Sequence, residues 1–320
     1  MAGTISHQPP ACAARVGDVT RPALTSRAYS GETDLFLMHS LVRDAWRQHG
    51  PRVECTVGDL DWRLHRRATV EPSANIRLWE VGGVLVGFAW FLPNGDLDLL
   101  VHPREHCAAV VPEMVAWGEA RLRSSSASDQ PERQLHAWAL TSNEPLSRAL
   151  QAAGLHPTSS CYLHLFRELE APLDAPSLPQ GFQVRAVTGL SEAAARAAVH
   201  RAAFGSNRMS TEVYAHLMRS ARHYRPELDV VAVAPDGEFT AMALGWLDPD
   251  NHVGELEPVG TAPAYRGRGL ARAVSQEALR RLQAAGARSA VIYALPENPA
   301  SVSLYTSLGF RELDRNVGFS

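Results

Sequence analysis

The stretch AYRGRGLA, at residues 264–271, places two glycines and two arginines immediately before a predicted helix. A helix N-terminus presents unpaired backbone N–H groups and a partial positive charge. Gly267 and Gly269 lack the Cβ atoms that would keep an anion away from these amides. Arg266 and Arg268 can add charge-assisted contacts. This spacing therefore favours the binding of a phosphate group, and a pyrophosphate would suit the turn.

The same pattern also fits a flexible, solvated turn that binds nothing. Two familiar phosphate motifs do not apply here. No Lys-Ser/Thr pair follows the glycines as in a P-loop, and the glycines are too close together for a G-x-G-x-x-G fingerprint. The elements around the turn must therefore decide between the two interpretations.

The glycine turn lies within an ordered series of predicted elements. Before it come a helix and the strand-like runs DVVAVA, FTAMALGWL and VGELEPVG, which are separated by turn residues. After it come a helix with apolar residues at helical spacing, the strand-like run SAVIYAL and the short helix NPASVSLYTSLGF. This order predicts a mixed α/β sheet domain.

The first half of the chain repeats the same order of elements, which predicts an internal duplication. Aligning the prolines that precede the two turns puts Cys107 and Ala109 in the places of Gly267 and Gly269. The first half is therefore predicted to have lost the glycine turn.

Three prolines in ELEAPLDAPSLPQG interrupt any helix or central strand, so residues 168–181 are predicted to form an interdomain linker. The two predicted domains then occupy residues 27–167 and 182–320. Residues 1–26 are predicted to be a mobile tail.

Composition restricts the classes of partner. The 31 basic and 34 acidic residues give a formal net charge of -3, so we expect neither nucleic acid nor a membrane as a partner. The four cysteines form no CxxC pair, which favours a reducing, cytoplasmic location and gives no reason to expect a metal. No run approaches the roughly 18 apolar residues of a membrane span, and the first residues do not resemble a secretory signal.

The second half resembles the GCN5-related N-acetyltransferase (GNAT) family. The resemblance rests on the proline-preceded turn, the helix and strand after it, and the pattern N-x(6)-Y-x(3)-G-F. These motifs run from Glu255 to Phe310. The resemblance implies an α/β fold of two tandem GNAT-like domains, each a mostly antiparallel central sheet flanked by helices. It also implies acetyl-CoA as cosubstrate, with its pyrophosphate held by Arg266, Gly267, Arg268, Gly269, Leu270 and Ala271. Ala264 departs from the family, which often has Gln or Arg as the first residue of this motif.

In that family two kinds of side chain carry the chemistry. An amine with a pKa of about 10 is almost wholly protonated at neutral pH, so a base is useful. Glu255 holds the family position of the general base, and Glu257, on the same side of the strand, is second; a solvated strand face is the alternative. Tyr305 matches the tyrosine that protonates the leaving thiolate, with core packing as the alternative.

Other family positions concern the acetyl-CoA arm. Val259 and Thr261 hold the places of backbone amides that face the thioester carbonyl, and Pro258 supports a break in the strand there. Asn298 matches the residue that would hold the pantetheine.

The first half lacks counterparts of several of these groups. Leu150 stands in the place of Tyr305, and the proline alignment puts Gly95 against Glu255. An intact second copy beside an eroded first copy is similar to the layout of mycothiol synthase. We therefore expect the first half to wall the acceptor cleft, or to bury surface, without doing chemistry.

The main hypothesis is an N-acetyltransferase that transfers acetyl directly from acetyl-CoA, in a ternary complex, to a small-molecule or peptide amine. The alternative is a noncatalytic acyl-CoA-binding or regulatory protein with the same fold. Retention of Glu255, Tyr305 and Asn298 favours the enzyme, because binding alone needs neither base nor acid. No motif identifies the acceptor or the oligomeric state, although residues 204–226 are expected to form part of the acceptor wall.

Overall fold

The computed structural model describes residues 23–66, 71–125 and 133–320. The strands are β1 Leu24–Ala28, β2 Ile76–Val81, β3 Val84–Phe91, β4 Asp96–Val101, β5 His136–Leu140, β6 Pro157–Glu168, β7 Gln183–Ala186, β8 Asp229–Val233, β9 Phe239–Asp248, β10 Val253–Thr261, β11 Ser289–Ala294 and β12 Arg311–Phe319. The helices are α1 Glu32–His49, α2 Val57–His65, α3 Pro72–Asn75, α4 Cys107–Ser125, α5 Glu144–Ala152, α6 Ala193–Phe204, α7 Thr211–Ser220, α8 Leu270–Ala284 and α9 Pro299–Ser307.

All twelve of these strands form one sheet, in the order β1-β2-β3-β4-β5-β12-β6-β11-β10-β9-β8-β7. The pairs β4–β5 and β10–β11 are parallel, and the other neighbouring pairs are antiparallel. Helices pack on the sheet around several apolar clusters, one built on α4 and another on α8. The predicted mixed, mostly antiparallel sheet flanked by helices is confirmed.

The same series of elements occurs twice. In the first half β2, β3, β4, α4, β5, α5 and β6 follow one another, and in the second half β8, β9, β10, α8, β11, α9 and β12 do so. A 3-10 turn precedes the long helix in each half, at Arg104–His106 and Pro263–Tyr265. The tandem arrangement expected from the sequence is therefore present.

The two halves exchange their last strands. β6, from the first half, pairs with β11, whereas β12, the final strand of the chain, pairs with β5. β6 and β12 also pair with each other at the centre of the sheet. The two halves therefore share one continuous sheet.

The predicted linker runs from the end of β6 to the start of β7 and contacts α8. Gln283 donates hydrogen bonds to the carbonyls of Leu169 and Ala171, and Gln276 donates to that of Asp174. The division at residues 168–181 remains a prediction. Residues 1–22 of the predicted tail lie outside the described residues, and β1 begins within its remaining part.

The first half also packs into the core of the second. Trp62 of α2 lies in one apolar cluster with residues of α6 and α7, and with Trp246 of β9. Val253 and Val291, from β10 and β11, lie in the cluster that α1 builds. These contacts bring α2 over the strand that carries Glu255.

Candidate active site

A cavity of about 420 Å³ lies between the two halves of the chain. Its opening follows from the pairing of β10 with β11, which covers Val253 to Glu255 and then stops. Beyond Glu255 the two strands separate. The cavity is lined by the predicted site residues Glu255, Glu257, Val259, Asn298 and Tyr305. The first half contributes Glu54, Cys55, Asp59, Arg63, Arg66, Phe88, Leu92, Asp96, Asp98, Leu99, Trp138 and Tyr162.

Three carboxyl groups meet in the cavity wall. Side-chain oxygens of Asp59, Glu255 and Glu257 lie within 4.8 Å of one another. Asp59 also lies 3.3 Å from the Arg63 guanidinium, which reaches Asp98 at 2.8 Å on its other side. Arg63 pairs with the two aspartates, and its charge lowers the pKa of both glutamates by less than burial raises it.

Glu255 is the most enclosed of the three, at 2% exposure. The Thr56 hydroxyl donates a hydrogen bond to its Oε2, while its Oε1 is buried without a hydrogen-bond partner among the described residues. Burial, together with the charges of Asp59 and Glu257, raises the pKa of Glu255 well above its ordinary value. Burial therefore favours the neutral form of this carboxyl group.

Glu257 lines the cavity and is half-buried. Burial, and next the charge of Asp59, raises the pKa of Glu257 to about 7. A carboxyl group with such a pKa changes its charge within the physiological range, as a general acid–base group should. The cluster as a whole favours a positively charged group beside it.

The strand break expected at Pro258 is present. The register of β10 against β9 shifts between Leu256 and Val259. Farther along, the Ala262 N–H donates to Thr240 on the β9 side. Because N–H directions alternate along a strand, the amides of Val259 and Thr261 point to the opposite side, where β10 and β11 have separated.

The glycine turn has the geometry that an anion needs. Gly267 and Gly269 have φ of 77° and 78°, and a Cβ on either would meet no described atom within 4 Å. α8 begins at Leu270 without a side-chain cap, and its first hydrogen bond runs from the Ala273 N–H to the Gly269 carbonyl. The amides of residues 270–272 precede that bond and are free to bind a ligand.

The two arginines of the turn differ in their surroundings. Arg266 donates to the carbonyls of Ala203 and Thr261, at 3.1 and 3.4 Å. Arg268 lies over the Tyr265 ring, 5.3 Å from its centroid. Arg266 therefore shapes the turn itself, whereas Arg268 is the freer cation.

Tyr305 lines the cavity and packs into the apolar cluster of α8. Its ring lies edge-on to Phe310, with 6.1 Å between the centroids. Burial, with a contribution from the charge of Glu257, raises the pKa of Tyr305 above its ordinary value. The phenol is therefore protonated at neutral pH, and both interpretations made from the sequence, core packing and proton donation, fit its position.

Asn298 is the N-cap of α9. Its side-chain oxygen accepts from the Ser301 N–H at 3.2 Å, which leaves the amide NH₂ for another partner. In the first half Asn143 caps α5 in the same way, but its NH₂ donates to Glu54 at 2.8 Å. In the first half, the amide that corresponds to the predicted pantetheine contact is thus already bound to Glu54.

The strand register corrects one part of the sequence alignment. His136 precedes the capping Asn143 by as many residues as Val291 precedes Asn298, so His136 and Val291 are equivalent. His136 pairs with Asp96, and Val291 pairs with Glu255. Asp96, not Gly95, is therefore the counterpart of Glu255. The ungapped alignment failed because β10 contains one extra residue at its bulge, whereas β4 pairs with β3 without a shift.

The first-half turn has changed as expected. α4 starts at Cys107 directly after the 3-10 turn, Ala109 lies within the helix, and no glycine intervenes. Leu150, in the place of Tyr305, is fully buried. The first half has thus lost the glycine turn and the tyrosine but keeps a carboxylate in the place of the base.

Sequence reasoning missed Thr56, Asp59 and Arg63. A signal for them was present, since Thr56 and Asp59 have the spacing of a capping box, and the structure contains that box at the start of α2. Residues 204–226 are predicted to form part of the acceptor wall, but of these only Phe204 lines the cavity. α7, which lies in this segment, packs against α2 and α6.

A second polar cluster joins the halves away from the cavity. A ring nitrogen of His39, a ring nitrogen of His223 and a carboxylate oxygen of Asp61 lie within 4.8 Å of one another, which is close enough to bind one metal ion. However, the Arg43 guanidinium donates to His223 Nε2 at 2.8 Å, so Nδ1 carries the proton and donates to Asp61 at 2.7 Å. Arg43, His223 and Asp61 therefore form a hydrogen-bond chain, and His39 Nε2 lies 3.3 Å from Asp61 Oδ1.

No helix within the described ranges has both the length and the apolar character that a membrane crossing requires.

Comparisons with known proteins identify relatives of the chain. Residues 195–310 match the model of the acetyltransferase (GNAT) family. A mycothiol acetyltransferase of Kineococcus radiotolerans is 30% identical over 254 residues, which cover 74% of this chain and 78% of the relative. A mycothiol acetyltransferase of Streptomyces avermitilis is 27% identical over 263 residues, which cover 78% and 80%.

Solved structures share the fold. A GCN5-related N-acetyltransferase from Sphaerobacter thermophilus has a TM-score of 0.61 at 22% identity, with 92% of this chain and 94% of that chain covered. A tandem GNAT protein from the clavulanic acid biosynthesis pathway has a TM-score of 0.60 at 18% identity, with 93% and 98% covered.

Proposed function

The chain belongs to the acetyltransferase (GNAT) family and is an N-acetyltransferase, and from this premise we propose that it transfers acetyl directly from acetyl-CoA to an amine bound in the central cavity. One observation carries the proposal. Glu255, Glu257 and Tyr305 line the same cavity, at the point where β10 and β11 separate. Residues 182–320 supply these groups, and residues 27–167 supply the facing wall.

The glycine turn and the separated strands fit acetyl-CoA. The free amides of residues 270–272 and the Arg268 guanidinium would hold its pyrophosphate, with Gly267 and Gly269 permitting close approach. The Asn298 NH₂ would hold the pantetheine arm. When bound, acetyl-CoA supplies an activated acetyl thioester. The amides of Val259 and Thr261 would be placed to donate to its carbonyl oxygen.

Glu255 is the proposed proton acceptor, with Glu257 beside it. An amine arrives as an ammonium ion, whose charge lowers the pKa of Glu255 and Glu257 and favours a carboxylate. Moving one proton from the nitrogen to Glu255 neutralises both groups, which is favourable in a buried site. The free amine can then attack.

The transfer step balances with these residues. A bond forms between the amine nitrogen and the acetyl carbon, and the bond from that carbon to sulfur breaks. Glu255 has already taken one proton from the ammonium. As the carbon–sulfur bond breaks, the Tyr305 hydroxyl gives its proton to the departing sulfur, and the second proton of the nitrogen passes to the Tyr305 oxygen and restores the hydroxyl. No acetyl group is attached to the protein, so both substrates must be bound together.

The acceptor class is argued from the cavity and from the relatives. Six carboxyl groups line the cavity against two arginines, which favours a cationic small molecule. The named relatives make mycothiol lacking its acetyl group the first acceptor to test. Release of CoA thiol, measured for that compound and for a panel of simple amines and peptide amines, tests the proposal; no release with any amine would refute it.

We place the reaction in the cytoplasm. Cys55, Cys107 and Cys161, in the described part of the chain, are free thiols, which suits a reducing compartment.

Replacing Tyr305 by phenylalanine is expected to keep the fold and slow the transfer by about 10- to 100-fold, because only the hydroxyl that protonates the sulfur is lost. Single-turnover rates and thermal unfolding of Tyr305→Phe and the parent measure the two effects. Tyr293→Phe, which changes another tyrosine of the cavity wall, is the matched control. Equal single-turnover rates for Tyr305→Phe and the parent would make Tyr305 a packing residue.

A further inference from the structure

Thr56 connects the first half of the chain to Glu255. It stands at the N-cap of α2, 199 residues before Glu255 in sequence, and its hydroxyl donates to Glu255 Oε2. The same hydroxyl oxygen accepts from the Asp59 N–H at 2.9 Å. Because the Thr56 oxygen accepts a hydrogen bond from the Asp59 N–H, the Thr56 hydroxyl proton points to Glu255.

A glycine allows this close contact. A Cβ on Gly58 would lie 2.5 Å from Cβ and Cγ of Trp246 and 2.6 Å from Glu255 Oε2. Gly58 lies within α2, where glycine is unfavourable for the helix itself. Its presence therefore fits the need to bring the N-terminus of α2 onto β10.

We propose that Thr56 is a positioning residue for the general base: its hydroxyl fixes Oε2 of Glu255 and leaves Oε1 as the oxygen that accepts the proton of the amine. This inference rests on the proposed function. It also gives the first half a role in the reaction without any chemistry of its own.

The hydrogen bond from Thr56 lowers the pKa of Glu255. A donor to a carboxylate stabilises the charged form, so Thr56 opposes the upward shift that burial imposes on the pKa of Glu255. Removing the hydroxyl should raise that pKa further, and the base would then become available at a higher pH. The variant keeps the other ionisable side chains whose charges interact with Glu255. These are Asp59, Glu257, Arg63, Cys55 and Tyr293.

The test compares Thr56→Val with Thr56→Ser. In Thr56→Val the acid limb of the pH–rate profile should move up by about one unit, so the rate below the limb falls about tenfold, because a hydrogen bond to a charged group is lost. Thr56→Ser should match the parent. Ser210→Ala, which removes the cap of α7 outside the cavity, controls for loss of a helix cap.

A double mutant separates positioning from general destabilisation. If Thr56 acts through Glu255, then Thr56→Val should change the rate less than twofold when Glu255→Gln is already present. A second full tenfold loss, or an acid limb that does not move in Thr56→Val, would overturn the proposal. Should Thr56→Val fail to fold, Thr56→Cys, with a weaker donor of similar size, should shift the limb in the same direction.

Carbon-13 NMR titration of labelled glutamate side chains tests the same bond without any acceptor. The Glu255 signal, identified by its loss in Glu255→Gln, should titrate at higher pH in Thr56→Val than in the parent. An unshifted titration refutes the role of Thr56 even if no amine is acetylated. Conversely, a shifted titration in a protein that acetylates nothing would refute the proposed function alone.

Discussion

Replacing Gly269 by glutamate is expected to abolish acetyl transfer and weaken acetyl-CoA binding at least about 100-fold. The side chain would put a negative charge where the pyrophosphate meets the free amides of α8, and the loss of one or two charge-assisted hydrogen bonds already accounts for about 3 kcal/mol. The protein leaves space for the new Cβ, since no described atom lies within 4 Å of it. The remaining cost is backbone strain at a φ of 78°, about 1–2 kcal/mol.

Two controls separate charge from strain and one half from the other. Gly269→Asn carries no charge and tolerates a left-handed backbone, so it should retain measurable binding. Ala109→Glu changes an exposed residue in the corresponding position of the first half and should leave transfer largely intact. Isothermal titration with acetyl-CoA measures all three. Tight binding and residual transfer in Gly269→Glu would show that the first half is itself a working site.

Glu255→Gln is expected to lower turnover about 100-fold or more while leaving the affinity for acetyl-CoA nearly unchanged. The amide cannot accept a proton from the acceptor, and a general base contributes typically 10² to 10⁴ in rate. Glutamine has nearly the same size, so the Thr56 contact and the place of the side chain opposite Trp246 on β9 should change little. Pre-steady-state acetyl transfer over a range of pH, with a parallel binding titration, checks both parts.

Glu257→Gln is the matched comparison for the same experiment. It removes one negative neighbour of Glu255, so the pKa of Glu255 should fall and the acid limb should move to lower pH. The maximal rate should stay within about tenfold of the parent. A large loss at every pH in Glu257→Gln, combined with an active Glu255→Gln protein, would make Glu257 the base instead.

Much of the second half could be predicted from the sequence because its signals are local. The glycines mark positive φ angles, Pro258 marks a broken ladder, and the spacing from Asn298 to Phe310 identifies the last helix. Each depends on a few neighbouring residues. The alternation along β10 likewise placed Glu255 and Glu257 together in the cavity wall.

Contacts between distant segments could not be read in this way. The Thr56 and Asp59 pair predicts a capped helix, but nothing local says that this helix ends on Glu255, because tertiary packing decides it. The exchange of β6 and β12 is equally non-local, since β6 pairs with β11 and β12 pairs with β5. The bulge in β10 shifted the alignment by one residue and hid Asp96 as the counterpart of Glu255.

The first half therefore has a physical reason to persist. It has lost the glycine turn, and the amide of its capping Asn143 is occupied by Glu54. It still provides Asp59 and Arg63 to the cavity wall and Thr56 to Glu255, and its strand β6 lies beside β11. In the proposed mechanism, its contribution is to the position and charge of Glu255.

Mass spectrometry of single amines mixed with the protein and deuterated acetyl-CoA tests the central claim most directly. Mycothiol lacking its acetyl group would be the first amine, with the parent and Glu255→Gln run side by side. The account predicts labelled N-acetyl product and free CoA in equal amounts from the parent, no labelled protein, and at least about 100-fold less product from Glu255→Gln. CoA release without an acetylated amine, a stably acetylated protein, or equal product from both proteins would contradict it.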